Sequence, residues 1–306
     1  MPELDPTPAA LDRPHHDIAV IGGGTMGTGI AYVYAMAGRM TTVVEPSDAR
    51  AEAMSGELAS AVADAVRRGK LDDTLGTALR GRIRRARTIA ELNAGLALIV
   101  ESVPENVALK RDVLAAAEDR RPTVLASNTS SISIDLLGSS LRRPETFLGM
   151  HFFNPVWSLP LVEVVRGKAT NEATVAHARA LAGAIGKQSI VVADVPGFAT
   201  SRLDLIASLE AMRMLEDGVA CAEDIDRASE LAYRHPVGPL RLSDIVGLDV
   251  RLDIARQLEG VFGERYRPPR ILIDLVAAGH LGRKSGRGFY DWVTHRSPSR
   301  VEGEGD

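Results

Sequence analysis

A histidine and a glutamate stand in two apolar runs of this sequence, where each could take part in acid–base chemistry. His151 ends the run Phe147-Leu-Gly-Met-His151, and Glu163 lies in the middle of Leu161-Val-Glu-Val-Val165. A carboxylate inside a buried strand is costly unless another group pairs with it, and a histidine on a neighbouring strand is the obvious partner. Such a pair holds the imidazole in one tautomer, as a general acid or base requires. On these runs alone, a structural histidine and a solvent-facing edge glutamate explain the pattern equally well.

A glycine-rich turn near the start of the chain indicates a second kind of chemistry. Gly22, Gly24 and Gly27 follow the strand-like run 17–21 and precede a helix-like run over 28–37. In that context the first glycine makes a tight turn, the second admits a pyrophosphate, and the third lets helix and strand pack closely. The amino end of the helix then faces the anion. The motif therefore predicts a dinucleotide site.

Glu45 specifies which dinucleotide the turn would bind. It ends the next strand-like run, Thr41-Thr-Val-Val-Glu45, and lies 45 − 22 = 23 positions after Gly22. An acid about 20 residues after the first glycine is placed to bind the adenosine ribose. Because a carboxylate there repels a 2′-phosphate, the sequence favours NAD over NADP.

Apolar strands that alternate with helices through the first two thirds of the chain predict an α/β fold with a doubly wound, mostly parallel sheet. After Asp194-Val-Pro-Gly-Phe198 the pattern becomes helical, with helices predicted at about 199–216, 222–232, 240–257 and 269–278. We therefore expect a disordered extension (1–14), a Rossmann-like NAD-binding domain (15–195), an all-helical substrate and dimerisation domain (196–293) and a disordered tail (294–306).

Composition narrows the class of protein. The 306 residues are 45% hydrophobic and 25% charged, and the net charge of −4 favours neither a nucleic acid nor an acidic membrane as partner. The single cysteine, Cys221, allows no internal disulfide, so a reducing, cytoplasmic location is expected. No apolar run approaches the ~20 residues that a membrane helix needs. The histidines lack metal-ligand spacing, and no metal site is predicted.

Two further polar segments follow predicted strands, at the edge where ligands of doubly wound sheets bind. They are Glu101-Ser-Val-Pro-Glu-Asn106 and Ser127-Asn-Thr-Ser-Ser131. Each taken singly is ordinary loop and helix-cap chemistry. Together with His151 they place several polar groups on one rim of one sheet.

In this combination the chain resembles the 3-hydroxyacyl-CoA dehydrogenase family over about residues 16–292, including its 3-hydroxybutyryl-CoA members. The motifs that carry the resemblance, besides those quoted above with His151 and Glu163, are Gly22-Gly-Gly-Thr-Met-Gly-Thr-Gly-Ile-Ala31, His151-Phe-Phe-Asn-Pro155, Pro196-Gly-Phe198, His235-Pro-Val-Gly-Pro239 and Gly282-Arg-Lys-Ser-Gly-Arg-Gly-Phe-Tyr290. The resemblance implies NAD-dependent, reversible oxidation of an (S)-3-hydroxyacyl-CoA, with the acyl chain between the domains and a homodimer formed by the helical domain.

The resemblance also implies roles for individual residues. His151 would be the general base, Glu163 would orient it, and Ser130 would hydrogen-bond the substrate oxygen beside the nicotinamide ribose. Asn154 would contact the cofactor near its nicotinamide end. The remaining cofactor contacts implied are Thr25 and Met26 in the glycine turn, Glu105 and Lys110 beside it, and Lys284 from the helical domain.

Two departures from the family pattern leave the substrate open. Ser201 stands where the family usually has an asparagine that donates to the acyl group, and Trp157 stands where a smaller residue is usual. Trp157 either narrows the acyl pocket or packs in a core or interface. Arg68, with its basic neighbours, would meet CoA phosphates or simply be a solvated helix end. An acyl-carrier-protein-bound group, carnitine or a free hydroxy or sugar acid is the alternative substrate, and a non-catalytic NAD-binding protein is the alternative class.

Overall fold

The computed structural model describes residues 17–69 and 71–292. They form two compact units, one ending at Phe198 and the other starting at Ala199. The predicted extension over 1–14 and the predicted tail over 294–306 lie outside the described residues.

The first unit is built on one eight-stranded sheet. The strands are β1 (Ile18–Ile21), β2 (Thr41–Val44), β3 (Ile83–Ala86), β4 (Leu98–Glu101), β5 (Val124–Ser127), β6 (Phe147–Phe152), β7 (Leu161–Arg166) and β8 (Gln188–Ala193). Their order across the sheet is β3-β2-β1-β4-β5-β6-β7-β8. All neighbours are parallel except β6 and β7, which run antiparallel. The predicted fold class, a doubly wound and mostly parallel sheet followed by a helical domain, is confirmed.

Helices cover both faces of this sheet. They are α1 (Thr25–Met36), α2 (Asp48–Arg67), α3 (Asp73–Arg82), α4 (Val107–Glu118), α5 (Ile134–Gly138) and α6 (Glu172–Gly183). Alternate residues of one strand serve opposite faces: Ile18 and Val20 pack with α1, α2, α3 and α6, whereas Ala19 and Ile21 pack with α4 and α5. This is why the strands are apolar throughout rather than alternating with polar residues.

The edge strand β3 was missed in the sequence. Taken as sequence alone, the basic stretch over about 74–85 favours one helix, but α3 ends at Arg82 and Ile83–Ala86 pairs in parallel with β2. The strand carries Arg84 and Arg85, and only Ala86 of its four residues is buried. Because a basic edge strand lacks an apolar pattern, the preceding helix appeared to continue through it.

The second unit consists of helices around its own apolar core. They are α7 (Thr200–Glu216), α8 (Ala222–Tyr233), α9 (Pro239–Val246), α10 (Leu248–Phe262) and α11 (Arg270–Ala277). The predicted single helix over 240–257 is wrong, because Gly247 divides it into α9 and α10. Gly247 has φ +110°, a backbone conformation that residues with a side chain rarely adopt. The apolar pattern on both sides of this glycine hid the break.

The end of the described chain folds back onto Asp244 of α9. Its buried carboxylate accepts hydrogen bonds from the backbone N–H of Phe289 and Tyr290 and from Nε1 of Trp292. A Cβ on Gly282 or Gly288 would come within 2.3 or 2.1 Å of Asp244 atoms, so the glycines in this segment permit the close approach. The motif that resembled the family at 282–290 therefore has a structural role inside this unit.

Candidate active site

A cavity of about 1060 Å³ lies at the carboxyl ends of the central strands of the first unit. That size accommodates a large cofactor, since ordinary ligand pockets span ~300–1,000 Å³. Of the residues predicted from sequence, the following line it: Gly22, Gly24, Thr25, Met26, Glu45, Glu105, Ser130, His151 and Asn154. The structure thus brings these segments of the chain to one cavity. Their contacts with a ligand remain predictions.

The glycine turn forms a cradle at the amino end of α1. Gly22 has φ +105°, and a Cβ there would lie 2.7 Å from the Ser102 carbonyl oxygen. A Cβ on Gly27 would lie 1.9 Å from the Gly22 carbonyl oxygen, so helix and strand could not pack as they do. No side chain caps α1, whose first turn contains no acid. Its free N–H groups and positive dipole end fit the pyrophosphate of a dinucleotide.

Glu45 is held rigidly beside this turn. It is 8% exposed, and its two carboxylate oxygens accept the backbone N–H groups of Gly23, at 3.0 Å, and Ser47, at 2.9 Å. The Ser47 hydroxyl in turn accepts the Arg50 N–H and caps α2. A fixed acid at this position has the geometry expected for binding a ribose hydroxyl, and the site fits NAD.

His151 and Glu163 form a direct cross-strand pair. The antiparallel register of β6 and β7 places them opposite each other, and His151 Nδ1 lies 2.8 Å from Glu163 Oε2. Glu163 is fully buried, whereas His151 is 8% exposed and lines the cavity. The His151 ring also packs against Phe153, with centroids 4.4 Å apart. The imidazole is therefore held by a carboxylate on one side and by an aromatic ring on another.

Asn128 links the ends of two strands beside His151. Its Oδ1 accepts the Phe152 N–H at 3.0 Å, and its Nδ2 donates to Ser102 Oγ at 3.3 Å. Sequence reasoning selected Ser130 from this motif and passed over Asn128, which also lines the cavity. The signal was present, because an asparagine directly after a strand is placed to bond the backbone of the neighbouring strand.

A second buried ion pair lies behind the cavity wall. Glu101 and Lys110 are both fully buried, and Lys110 Nζ lies 2.7 Å from Glu101 Oε1. Glu101 also accepts the Val103 N–H at 2.7 Å and the Ser127 hydroxyl at 2.5 Å. Burial raises the pKa of Glu101, while these partners oppose that shift. The network joins β4, β5 and α4.

Glu105 is the point where this network meets the cavity. Its Oε2 lies 3.4 Å from Lys110 Nζ, and its Oε1 accepts the hydroxyls of Thr129 and Ser131. Partial burial favours the protonated carboxyl, yet the Thr129 hydrogen bond and the Lys110 charge outweigh it and lower the pKa of Glu105. Lys110 itself does not line the cavity. Its side chain ends instead on Glu101 and the Val103 carbonyl, so its contact with the cofactor remains a prediction.

Two predicted substrate residues of the first unit lie away from the cavity. Trp157 is 48% exposed and packs edge-on against Tyr32, with ring centroids 5.7 Å apart. Arg68 is exposed at the end of α2. Neither lines the cavity, so their roles toward an acyl-CoA remain predictions.

Two other predicted residues belong to the helical unit. Ser201 is the second residue of α7 and is half-buried. Lys284 donates to both carboxylate oxygens of Asp249, each at 2.6 Å. Contact of Lys284 with the cofactor, and of Ser201 with the substrate, remain predictions.

Arg50 and Arg87 also line the cavity, near Glu45, and were not singled out in the sequence. Arg50 lies in α2 and Arg87 follows β3. No local motif marks either residue, because only the pairing of β3 with β2 brings Arg87 to this position.

Within residues 17–69 and 71–292, no group of three or more histidine, cysteine, aspartate or glutamate side chains is arranged to hold a metal ion. Among the helices of the same residues, none is long and apolar enough to span a membrane.

Comparison with known families matches both units. The model of the 3-hydroxyacyl-CoA dehydrogenase NAD binding domain matches residues 17–195, and that of the 3-hydroxyacyl-CoA dehydrogenase C-terminal domain matches residues 197–292. The two matches together cover nearly all of the described chain.

Individual relatives agree along their whole length. A 3-hydroxybutyryl-CoA dehydrogenase of Mycobacterium tuberculosis is 41% identical over 281 residues, which are 90% of this chain and 98% of the relative. A probable 3-hydroxybutyryl-CoA dehydrogenase of Bacillus subtilis is 40% identical over 278 residues, covering 90% and 96%. The crystal structure of (S)-3-hydroxybutyryl-CoA dehydrogenase from Ralstonia eutropha superimposes with a TM-score of 0.86 at 37% identity, covering 90% of this chain and 99% of that one.

Proposed function

The chain belongs to the 3-hydroxyacyl-CoA dehydrogenase family, and we propose that it catalyses the reversible, NAD-dependent oxidation of (S)-3-hydroxyacyl-CoA to 3-oxoacyl-CoA. The observation that carries this proposal is the His151–Glu163 pair, whose imidazole lines the same cavity as the glycine turn. A base and a dinucleotide cradle on one cavity are the parts that oxidation of an alcohol requires.

The geometry of the pair suggests how the proton moves. Because Nδ1 of His151 is engaged by Glu163, Nε2 is the nitrogen left for a substrate. With Nδ1–H donating to the carboxylate, the lone pair on Nε2 accepts the proton of the 3-hydroxyl as the alcohol is oxidised. Glu163 then balances the positive charge of the imidazolium. In the reverse direction the imidazolium returns the proton to the alkoxide.

Other residues of the cavity bind and orient. NAD, when bound, supplies the nicotinamide ring that accepts hydride from C3 of the substrate. Gly22, Gly24 and Gly27 would hold its pyrophosphate at the amino end of α1, and Glu45 would bind its adenosine ribose. Ser130, exposed on the cavity wall, is placed to donate to the substrate oxygen.

Replacement of one histidine tests the proposal. With acetoacetyl-CoA as substrate and NADH absorbance as readout, His151→Gln is expected to lose at least about 100-fold in kcat, the usual contribution of a positioned acid–base group. His177→Gln, a change at an exposed histidine of α6, serves as the matched control and keeps wild-type turnover. Equal turnover of the two variants would contradict the assignment of His151 as the general base.

A second candidate substrate class is favoured by Ser201. A serine hydroxyl at the second position of α7 reaches less far than the asparagine usual in the family, so the acyl group or its carrier can differ. We therefore include acyl-carrier-protein-bound, carnitine and free hydroxy-acid substrates in the test. A kcat/KM that is highest for the CoA thioester supports the proposal, and a higher value for another carrier overturns the CoA assignment.

We further propose that the chain forms a homodimer through its helical unit and works in the cytoplasm. The helical unit exposes large apolar side chains, with Leu203 69%, Leu231 74% and Tyr233 76% accessible. A contiguous apolar surface is typical of an interface, and the proposal is that these side chains form one. Light scattering during size-exclusion chromatography tests the dimer. A monomer at micromolar concentration contradicts it, and Leu231→Asp is expected to weaken the dimer.

A further inference from the structure

Three arginines surround the end of the cavity where Glu45 would bind the adenosine ribose. Arg50 and Arg87 line the cavity itself, and Arg85 lies on β3 just behind them. Arg85 Nε donates to the Glu45 carbonyl oxygen at 2.9 Å, and Arg50 Nε donates to the Gly23 carbonyl oxygen at 2.7 Å. In dinucleotide-binding folds, an arginine in this region accommodates the 2′-phosphate of NADP. The arginines therefore oppose the NAD preference that Glu45 alone indicates.

Each of these arginines is already paired with a carboxylate. Asp48 forms ion pairs with two of them, with its Oδ1 2.6 Å from Arg85 Nη1 and 2.7 Å from Arg87 Nη2. Glu57 forms an ion pair with the third, with its Oε1 2.6 Å from Arg50 Nη2. Asp48 is the first residue of α2, so its position is fixed by the Ser47 cap and favoured by the helix dipole.

We propose that Asp48 is a specificity-determining residue that keeps Arg87 from receiving the 2′-phosphate of NADP. The inference rests on the proposed function, in which Glu45 binds the ribose of NAD. Two residues then discriminate NAD from NADP. Glu45 repels the phosphate directly, and Asp48 occupies the Arg87 guanidinium that would otherwise bind it. Arg85 stays in place in either case, because it also donates to the carbonyl oxygens of Glu45 and Pro46.

The charges and exposure of the cluster support this division of roles. Phosphate is a strong partner for arginine, because a guanidinium donates two parallel hydrogen bonds to it. The side chains of Asp48 and Arg87 are 69% and 60% exposed, so Arg87 can turn toward a ligand once Asp48 no longer holds it. The two arginines also lower the pKa of Asp48, chiefly through the Arg85 hydrogen bond. The aspartate is thus a charged competitor at neutral pH.

Replacement of Asp48 by asparagine tests the proposal. We expect Asp48→Asn to raise the ratio of kcat/KM for NADPH to that for NADH about tenfold, the effect of one charge-assisted hydrogen bond gained. Because exposed charges are screened, the gain should shrink as ionic strength rises. Asp64→Asn, which breaks the exposed Asp64–Arg67 pair of the same helix, is the matched control and should leave the ratio unchanged.

A second substitution identifies the arginine. Adding Arg87→Gln to Asp48→Asn is expected to cancel the gain, since the released guanidinium is gone. The proposal is overturned if Asp48→Asn leaves the ratio at its wild-type value. It is also overturned if the substitution weakens the binding of NADH and NADPH equally, as loss of a purely structural contact would. Titration of NADH and NADPH by fluorescence gives the ratio of their dissociation constants without an acyl substrate, and this ratio should shift in the same direction. It therefore remains informative even if the CoA thioester is not turned over and the proposed function fails.

Discussion

Two carboxylates, Glu163 and Glu101, are fully buried in the same sheet, yet they serve different purposes. Each is paired with a nitrogen base, Glu163 with His151 Nδ1 at 2.8 Å and Glu101 with Lys110 Nζ at 2.7 Å. Burying such a charge is costly unless it is paired, so both pairs obey the same physical rule. The pairing alone does not reveal which of them does chemistry.

The difference lies in what the partner contacts beyond its carboxylate. His151 lines the cavity and has a second nitrogen, whereas Lys110 is fully buried and ends on Glu101, Glu105 and the Val103 carbonyl. One pair therefore presents a titratable group to a ligand, and the other joins the segments behind the cavity wall. A buried ion pair indicates a catalytic group only where one partner reaches the cavity.

The largest expected effect comes from breaking the pair that faces the cavity. Glu163→Gln should lower kcat about 100-fold, and no more than His151→Gln does, because the imidazole loses the group that fixes its tautomer and balances its charge. The KM for NADH should change little, since Glu163 is a positioning residue that does not line the cavity. Steady-state kinetics with acetoacetyl-CoA separate the two parameters.

Two companion variants sharpen this result. Glu163→Asp keeps the charge and should recover part of kcat, which a general loss of folding would not do. Glu101→Gln, the same change in the other pair, should cost far less in kcat than Glu163→Gln. Similar losses of kcat in the two glutamine variants would erase the distinction between the pairs.

The next effect is on stability. Lys110→Met leaves the Glu101 carboxylate buried without its cation, and breaking a buried pair in this way costs roughly 3–5 kcal/mol. Urea denaturation of the full chain measures the loss. Fluorescence of Trp157 in a Trp292→Phe background, used for wild type and variants alike, confines the signal to the first unit.

The double variant decides the cause of that loss. Glu101→Gln with Lys110→Met removes both charges, so it should be clearly more stable than Lys110→Met alone. If the double variant is as unstable as the single one, the loss comes from packing of the lysine stem rather than from an unpaired charge.

Much of the first unit could be predicted because its signals are local. Apolar runs and the glycine turn indicated the sheet and the cofactor cradle, and two apolar runs indicated a His151–Glu163 pair as one of two equally good interpretations. Their antiparallel register then placed them opposite each other. The need of a buried glutamate for a partner favoured the pairing, but only the strand register distinguishes it from an edge glutamate that faces water.

The features that could not be predicted from the sequence depend on the order of the strands, on a backbone dihedral angle or on the burial of a side chain. Arg85 and Arg87 reach Asp48 only because β3 pairs with β2, and β3 itself was hidden by its basic residues. The break at Gly247 depends on a positive φ inside an otherwise helical pattern. The resemblance suggested Lys110 as a cavity residue, whereas its burial against Glu101 required coordinates.

The smallest expected effect concerns Glu105, whose side chain is 39% exposed at the end of the Glu101–Lys110 network. Its pKa is lowered in the folded state, despite burial, by the Thr129 hydrogen bond and the Lys110 charge. A lowered pKa means that ionised Glu105 stabilises the fold above the unfolded pKa of 4.5 and that this contribution is lost as pH falls below it. Glu105→Gln should therefore be less stable than wild type at pH 7, by under about 1 kcal/mol for so exposed a group.

The same substitution should matter less and less in acid. As pH falls from 7 to 3, wild-type Glu105 becomes protonated and resembles the neutral glutamine, so the difference in urea midpoint between the two proteins should narrow, chiefly below pH 4.5. Glu52→Gln, at an exposed position of α2, provides the matched control. A difference that stays constant with pH would mean that Glu105 acts through its shape. A difference that widens in acid would mean that Lys110 and Thr129 do not favour the charged form, and that the network ends at Glu101.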